Sequence, residues 1–115
     1  MAKGRQKHQA RLDAISFWGK DLARRAKRKC ELCEESGELR PFDGDEKAEP
    51  SLETLVLACA RCRSILEGGS ADERTLRFLE TAIWNEQAMI AKLAKGMTSK
   101  VDADWARSAM EMVGE

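Results

Sequence analysis

The chain has 115 residues, and its 20 lysines and arginines balance 20 aspartates and glutamates, so the formal net charge is zero. A chain of this length suits one compact domain or a small module with a helical extension, and because aromatic residues make up only 5% of the sequence we do not expect a large core. The longest apolar runs, such as residues 55–58, are too short to cross a bilayer, and the N-terminus shows no apolar stretch typical of a secretory signal. We therefore expect a cytoplasmic protein without a membrane partner.

The zero net charge conceals a segregation of charge along the chain. Residues 1–29 hold ten basic and two acidic residues, residues 30–58 hold two and nine, and residues 59–115 hold eight and nine, giving +8, −7 and −1. Such asymmetry is typical of a protein that meets nucleic acid or another acidic partner through one face. The alternative is that the basic and acidic segments attract each other, or are simply solvated.

The basic N-terminal segment, residues 1–29, is predicted to contain one helix over residues 6–28. Its apolar residues repeat at helical spacing: Leu12, Ile15, Gly19, Leu22, Ala23 and Ala26. The candidate nucleic-acid contacts of this helix lie roughly opposite: Lys20, Arg24, Lys27 and Arg28. Phe17 projects onto the basic side, where it would either stack on a base or, as is more common, pack against the same protein.

The four cysteines form two CxxC pairs, Cys30 with Cys33 and Cys59 with Cys62, separated by 25 residues. In a cytosolic chain, paired CxxC motifs hold a metal more often than they form disulfides. Two intervening residues let one tight turn aim both sulfurs at one ion, and two such turns complete a tetrahedron around Zn²⁺. A closed Cys₄ shell leaves no position for water, so we predict one structural zinc. Redox dithiols or four unconnected thiols are the alternatives.

Three cations flank the cysteine pairs in the sequence: Lys29, Arg61 and Arg63. Four thiolates around one Zn²⁺ carry a local charge of −2, and neighbouring cations would offset that charge and favour deprotonated sulfur. Arg61 and Arg63 are also candidate nucleic-acid contacts, beside those of the N-terminal helix.

Residues 30–69 are predicted to form the zinc-binding module. A short strand at 38–42 leads into the turn signal Asp43-Gly44-Asp45, and an apolar run within 52–58 feeds the second cysteine pair. A helix is expected from 59 to 67, ended by Gly68-Gly69. One pair beside a hairpin and the other at a helix N-terminus is the arrangement of a treble clef.

Residues 70–115 are predicted to be a helical segment, so that the fold class is α+β and mainly helical. Ser70 and Glu73 match a capping box. An apolar helical face follows to about residue 95, unbroken or interrupted near Asn85, and Gly96 is expected to end it. Thr98 or Ser99 would cap a last helix. The tryptophans and methionines of the chain are core residues or, alternatively, a dimer interface.

Four motifs follow one another along the chain: Cys30-Glu31-Leu32-Cys33, Leu57-Ala58-Cys59-Ala60-Arg61-Cys62, Leu79-Glu80-Thr81-Ala82-Ile83-Trp84-Asn85-Glu86 and Trp105-Ala106-Arg107. In this order they resemble the PhnA-type zinc-binding proteins, small bacterial proteins named for a phosphonate-utilisation operon. The resemblance covers roughly residues 15–112. It implies a zinc-ribbon or treble-clef module followed by helices, and it supplies no catalytic residue.

The two cysteine motifs also resemble the zinc frame of HNH-type endonucleases. Those enzymes need a histidine general base and further metal ligands between and after the cysteine pairs. The single histidine of this chain, His8, precedes the first pair. The chain therefore resembles a nuclease scaffold without its catalytic constellation.

Three functional hypotheses follow. The favoured one is a non-catalytic module with structural zinc that contacts nucleic acid through its basic helix. The second is a protein-interaction or homodimerisation module. The third and weakest is an HNH-like or phosphonate-related hydrolase that would use His8 or Asp43.

Overall fold

The structure, a computed structural model, describes the backbone of residues 2–114 and the side chains of residues 8–114. Over these residues it is mainly helical with one two-stranded sheet, which confirms the predicted balance of helix and strand. The elements follow in the order α1 Ala2–Phe17, α2 Gly19–Ala26, β1 Arg40–Asp43, β2 Leu55–Ala58, α3 Ala60–Leu66, a 3₁₀ turn Glu73–Thr75, α4 Leu79–Ala82, α5 Ala88–Thr98 and α6 Asp104–Val113.

The single helix predicted over residues 6–28 is wrong, because the chain bends at Trp18 between α1 and α2. The Trp18 N–H bonds Ile15 O in a tight turn, and the indole Nε1 donates to the carbonyl of Pro50 at 2.9 Å. Gly19 follows directly, and glycine weakens a helix at such a point. Leu22 on α2 is fully buried, whereas Leu12 on α1 is exposed.

The two strands pair antiparallel, with Arg40 opposite Ala58 and Asp43 opposite Leu55. Every residue of β2 is buried, because the strand is covered on both faces. Successive side chains of a strand point to opposite faces. Leu55 and Leu57 pack with α2, while Val56 and Ala58 join the core formed with the C-terminal helices. β2 therefore delivers Cys59 into the interior of the molecule.

The start of the C-terminal segment differs from the prediction. The capping box at Ser70 is wrong, since Asp72 caps the 3₁₀ turn by accepting the Arg74 N–H at 3.0 Å. The helix is interrupted near Asn85, between α4 and α5, and this confirms the interrupted one of the two predicted alternatives. There the Asn85 side chain accepts the N–H of Gln87 at 2.8 Å and turns the chain into α5.

Gly96 does not end the helix, which continues to Thr98. Thr98 is buried, and its hydroxyl donates to Ala94 O at 2.7 Å, so packing extends the helix past the glycine. The last helix, α6, begins after Ala103 rather than at Thr98 or Ser99, because those two residues still belong to the end of α5. Trp84 is more than half exposed, unlike Trp18 and Trp105, which pack against core clusters. Within the described part of the chain, no helix combines the length and hydropathy that a membrane span requires.

Candidate metal centre and cationic surface

The first cysteine pair lies in a tight turn between α2 and β1. The Cys30 N–H donates to Glu35 O at 2.9 Å, and the Glu34 N–H donates to Cys30 O at 2.9 Å. Glu34 sits at φ 65°, a left-handed conformation that is uncommon outside glycine. The Cys33 N–H points at Cys30 Sγ, 3.5 Å away. The backbone of this turn therefore folds around the two sulfurs and aims them to one side.

The second pair lies at the start of α3. Cys59 is the N-cap residue, and its sulfur accepts the Cys62 N–H at 3.5 Å. This repeats the N–H to sulfur contact of the first pair, with the same spacing of three residues. The predicted helix from 59 to 67 is confirmed apart from its ends, and Gly68 follows at φ 105°.

The two pairs meet in one cluster. The four Sγ atoms of Cys30, Cys33, Cys59 and Cys62 all lie within 4.8 Å of one another. Tetrahedral Zn–S bonds of about 2.3 Å would separate the sulfurs by about 3.8 Å. Cys33 Sγ and Cys59 Sγ are 3.7 Å apart, and three of the four side chains are buried. The donor set and its size therefore fit a single metal ion.

A hydrogen bond within the cluster shifts the pKa values of two thiols in opposite directions. A hydrogen bond from the Cys62 thiol lowers the pKa of Cys30 to about 4 and raises the pKa of Cys62. Burial raises the pKa of Cys33 to about 11. A metal that takes all four sulfurs as thiolates must therefore displace protons, so its binding releases protons and weakens in acid.

Arg61 lies beside the cysteine cluster, as its place in the sequence predicts. Its guanidinium is 5.5 Å from the centre of the Phe78 ring and 3.4 Å from the Glu35 carboxylate. Burial lowers the pKa of Arg61, but a hydrogen bond to Cys33 and the nearby negative charges raise the pKa overall. Arg61 thus offers positive charge to the sulfurs.

Arg63 is bound within the chain rather than at the sulfurs. It donates to Ala58 O at 3.2 Å and to Glu38 O at 2.8 Å, and so joins the ends of the hairpin to α3. Nucleic acid at Arg63 or Arg61 would compete with these internal contacts. Lys29, the third cation beside the cysteine pairs, is exposed.

The other candidate nucleic-acid contacts come together on one side of α2. Lys20, Arg24, Lys27 and Arg28 line a shallow depression together with Ala23, and we call this surface the cationic face. α2 ends at Ala26, and both Lys27 (φ 56°) and Arg28 (φ 61°) are left-handed, with the Arg28 N–H bonded to Ala23 O. The chain therefore turns back at this end of the helix. The side chains of residues 1–7, among them the basic residues Lys3, Arg5 and Lys7, lie outside the described residues.

The acidic segment is held by two other arginines. Arg11 pairs with Asp43 at 2.7 Å and donates to Asp45 O at 2.9 Å. Arg25 makes a two-pronged pair with Glu31, with both N–O distances 2.7 Å. Among the described side chains, the cationic face takes part in one ion pair, a 3.4 Å contact between Arg24 and Asp21. The two segments therefore attract each other at Asp43 and Glu31, as the alternative interpretation of the charge pattern had it, and these two ion pairs do not involve the cationic face.

The Arg25–Glu31 pair was not predicted from the sequence. It forms the centre of a network of hydrogen bonds. Arg25 also donates to the carbonyls of Leu52 and Leu55, while a Glu31 oxygen accepts the Leu57 N–H at 2.8 Å. The pair therefore ties α2 to the first cysteine turn and to β2. Its only signal in the sequence is that Arg25 lies three residues after Leu22 on the side of α2 that packs on the sheet.

The two residues of the hydrolase hypothesis lie in ordinary surroundings. His8 is exposed on α1, and the Asp43 carboxylate is occupied by Arg11 at the contact between α1 and β1. These positions suggest no acid–base pair.

No family model, curated protein or solved structure matches this chain. Its activity must therefore be inferred from its own cysteine cluster and charge distribution. The resemblance to the PhnA-type and HNH-type proteins stays a prediction from the motifs that carry it.

Proposed function

We propose that Cys30, Cys33, Cys59 and Cys62 hold one structural Zn²⁺ in a treble-clef or zinc-ribbon arrangement. The support is the fit of the sulfur separation to a tetrahedron, and the placement of one pair in a turn before a hairpin and the other at the start of α3. Four thiolates fill the coordination shell of zinc, so the ion would stabilise the fold and would not activate water. Membership of the PhnA-type family and a cytoplasmic location belong to the same proposal.

We further propose that this zinc-stabilised chain is a non-catalytic module that binds nucleic acid through the cationic face. One observation carries the proposal: Asp43 and Glu31 of the acidic segment pair with Arg11 and Arg25, and among the described side chains no ion pair joins that segment to Lys20, Arg24, Lys27 or Arg28. Phosphates would meet four exposed cations on one concave surface. Binding of this kind depends on the release of counterions from nucleic acid and is sensitive to salt.

Binding of a fluorescent single-stranded oligonucleotide is therefore expected to weaken steeply with salt. Four phosphate contacts predict a slope of about −3 in log K against log salt, or about 50-fold weaker binding at 200 mM than at 50 mM. Fluorescence anisotropy at several salt concentrations measures both quantities.

A matched pair of variants assigns the binding to the cationic face. The double variant Lys20→Gln with Lys27→Gln should make the slope of log K against log salt shallower by about 1.4. Lys92→Gln with Lys100→Gln removes two exposed lysines of the C-terminal segment and should leave the slope unchanged. Absence of binding at low salt, or equal losses in the two double variants, would refute the nucleic-acid proposal.

A protein partner or a second copy of the chain is the alternative that one observation favours. Phe17 on α1 is 74% exposed, and its ring meets that of Trp18 edge-on with 5.2 Å between the ring centroids. Aromatic side chains held at the surface are enriched among the anchors of protein interfaces.

If α1 is such a surface, the wild-type chain should self-associate in light scattering over a concentration series. Phe17→Glu should then shift the distribution to monomer, whereas Ser16→Glu, an exposed neighbour on α1, should not. A wild-type chain that stays monomeric, together with no partner retained on immobilised protein, would count against this alternative.

A further inference from the structure

A groove of about 730 Å³ runs between the first cysteine turn and the segment that joins α4 to α5. We call it the knuckle groove. Lys27, Lys29 and Glu34 line one side, and Trp84 and Glu86 line the other. The volume falls within the range of pockets that hold small organic groups, about 300–1,000 Å³. Of the residues that line this groove, only Lys27 is among the nucleic-acid contacts proposed above.

Trp84 is the most unusual residue of the groove. It is 57% exposed, although tryptophan is among the side chains that gain most from leaving water. It follows α4 directly and precedes the Asn85 turn, so the local backbone holds it at the wall of the groove. A large exposed ring on an ordered turn is suited to stack on a planar partner.

The charges of the groove select what kind of planar partner fits. Lys27 belongs both to the cationic face and to the groove, so the two surfaces are continuous, and Lys29 adds a second cation at the same side. Glu86, beside Trp84, is an exposed acid that would repel a phosphate but accept hydrogen bonds from the amino groups of a base, whereas the exposed Glu34 offsets one of the two lysine charges on the opposite side. The phosphates would therefore follow the lysines, and the base would lie toward Trp84.

We infer that the knuckle groove binds an unpaired nucleobase of single-stranded nucleic acid, stacked on Trp84, while the adjacent phosphates contact Lys27 and Lys29. This inference rests on the proposed nucleic-acid function and adds the form of nucleic acid that is bound. In a duplex the bases are paired and stacked, so none can enter the groove unless it is flipped out. The chain should consequently prefer single strands to duplexes of the same sequence.

The test compares Trp84→Ala with wild-type protein on two fluorescent single strands of equal length, one with bases and one abasic. Trp84→Ala should weaken binding of the normal strand by about 5- to 150-fold, the range measured for loss of stacking on one base. It should leave binding of the abasic strand and the salt slope unchanged. Trp84→Phe should restore most of the affinity, and Met112→Ala, which trims another exposed apolar side chain, should have no effect.

The outcomes separate this inference from the nucleic-acid function on which it rests. If Lys20→Gln with Lys27→Gln weakens binding but Trp84→Ala does not, the groove does not hold a base and the cationic face still binds phosphate. If both strands lose equal affinity in Trp84→Ala, stacking is excluded. If Trp84→Ala abolishes only self-association in light scattering, the groove is a protein contact. Circular dichroism of each variant, compared with wild type, confirms that the fold is retained.

Discussion

Removal of the proposed zinc ion by a chelator is expected to unfold the chain around residues 30–69. Cys30, Cys59 and Cys62 lie inside the main apolar cluster, in which β2 meets the C-terminal helices. Structural zinc contributes on the order of 10–16 kcal/mol in zinc-finger peptides, which is as large as the whole usual stability of a small domain, about 5–15 kcal/mol. Far-ultraviolet circular dichroism should show the loss of structure, and thermal melting should lose its cooperative transition.

Two controls make the chelation result specific. The same chelator saturated with Zn²⁺ beforehand should have no effect, and addition of Zn²⁺ after chelation should restore the signal. Cys62→Ser should reproduce the unfolding, whereas Ser64→Ala, an exposed position on the same helix, should melt close to wild type. A chain whose circular dichroism and melting temperature stay unchanged after verified metal removal does not depend on the metal for its fold.

Substitution of Arg25 by methionine is expected to cost about 3–5 kcal/mol of unfolding free energy, the usual cost of breaking a buried ion pair. The Glu31 side chain is only 5% exposed, so its charge would be left in the interior without a partner. The substitution also removes the donors to Leu52 and Leu55 carbonyls. Urea denaturation of the metal-bound protein measures the change.

The neighbouring residue provides the matched control. The Arg24 side chain is 79% exposed, so Arg24→Met should change stability by no more than about 0.5 kcal/mol. The double variant Arg25→Met with Glu31→Met should recover part of the loss, because it no longer buries a lone charge. Equal stability of the Arg25 and Arg24 variants would mean that the ion pair does not hold α2 to the sheet.

The cysteine cluster could be predicted from the sequence because its geometry is local. Each CxxC pair sets two sulfurs by one turn, and the apolar run of β2 that leads to Cys59 identifies a buried strand. The hairpin and α3 could be predicted for the same reason. Their signals, a Gly-containing turn and a pair of glycines after a helix, lie within a few residues of the structure they specify.

The bend at Trp18 could not be predicted in this way, since it depends on a carbonyl 32 residues away at Pro50. The capping box failed for a related reason: both Ser70 and Asp72 can cap a helix, and only the packing of the following segment on the core decides between them. Helix propensity also placed an end at Gly96, but the burial of Thr98 carried α5 beyond it.

The division of the basic residues into two groups has the largest consequence for function. The sequence shows ten cations in residues 1–29 and cannot say which of them the acidic segment binds. The fold pairs Arg11 and Arg25 with Asp43 and Glu31 of that segment, and among the described side chains no ion pair joins the segment to the cationic face. The zero net charge is thus compatible with an anionic partner on one surface.

Native mass spectrometry of the purified chain, combined with elemental analysis, tests the central claim most directly. Our account predicts one Zn²⁺ per chain, bound with loss of the thiol protons, and no bound metal in Cys62→Ser under the same conditions. A chain that carries no metal when purified and does not take up Zn²⁺ in titration would contradict the claim. So would full retention of zinc in the Cys62→Ser variant.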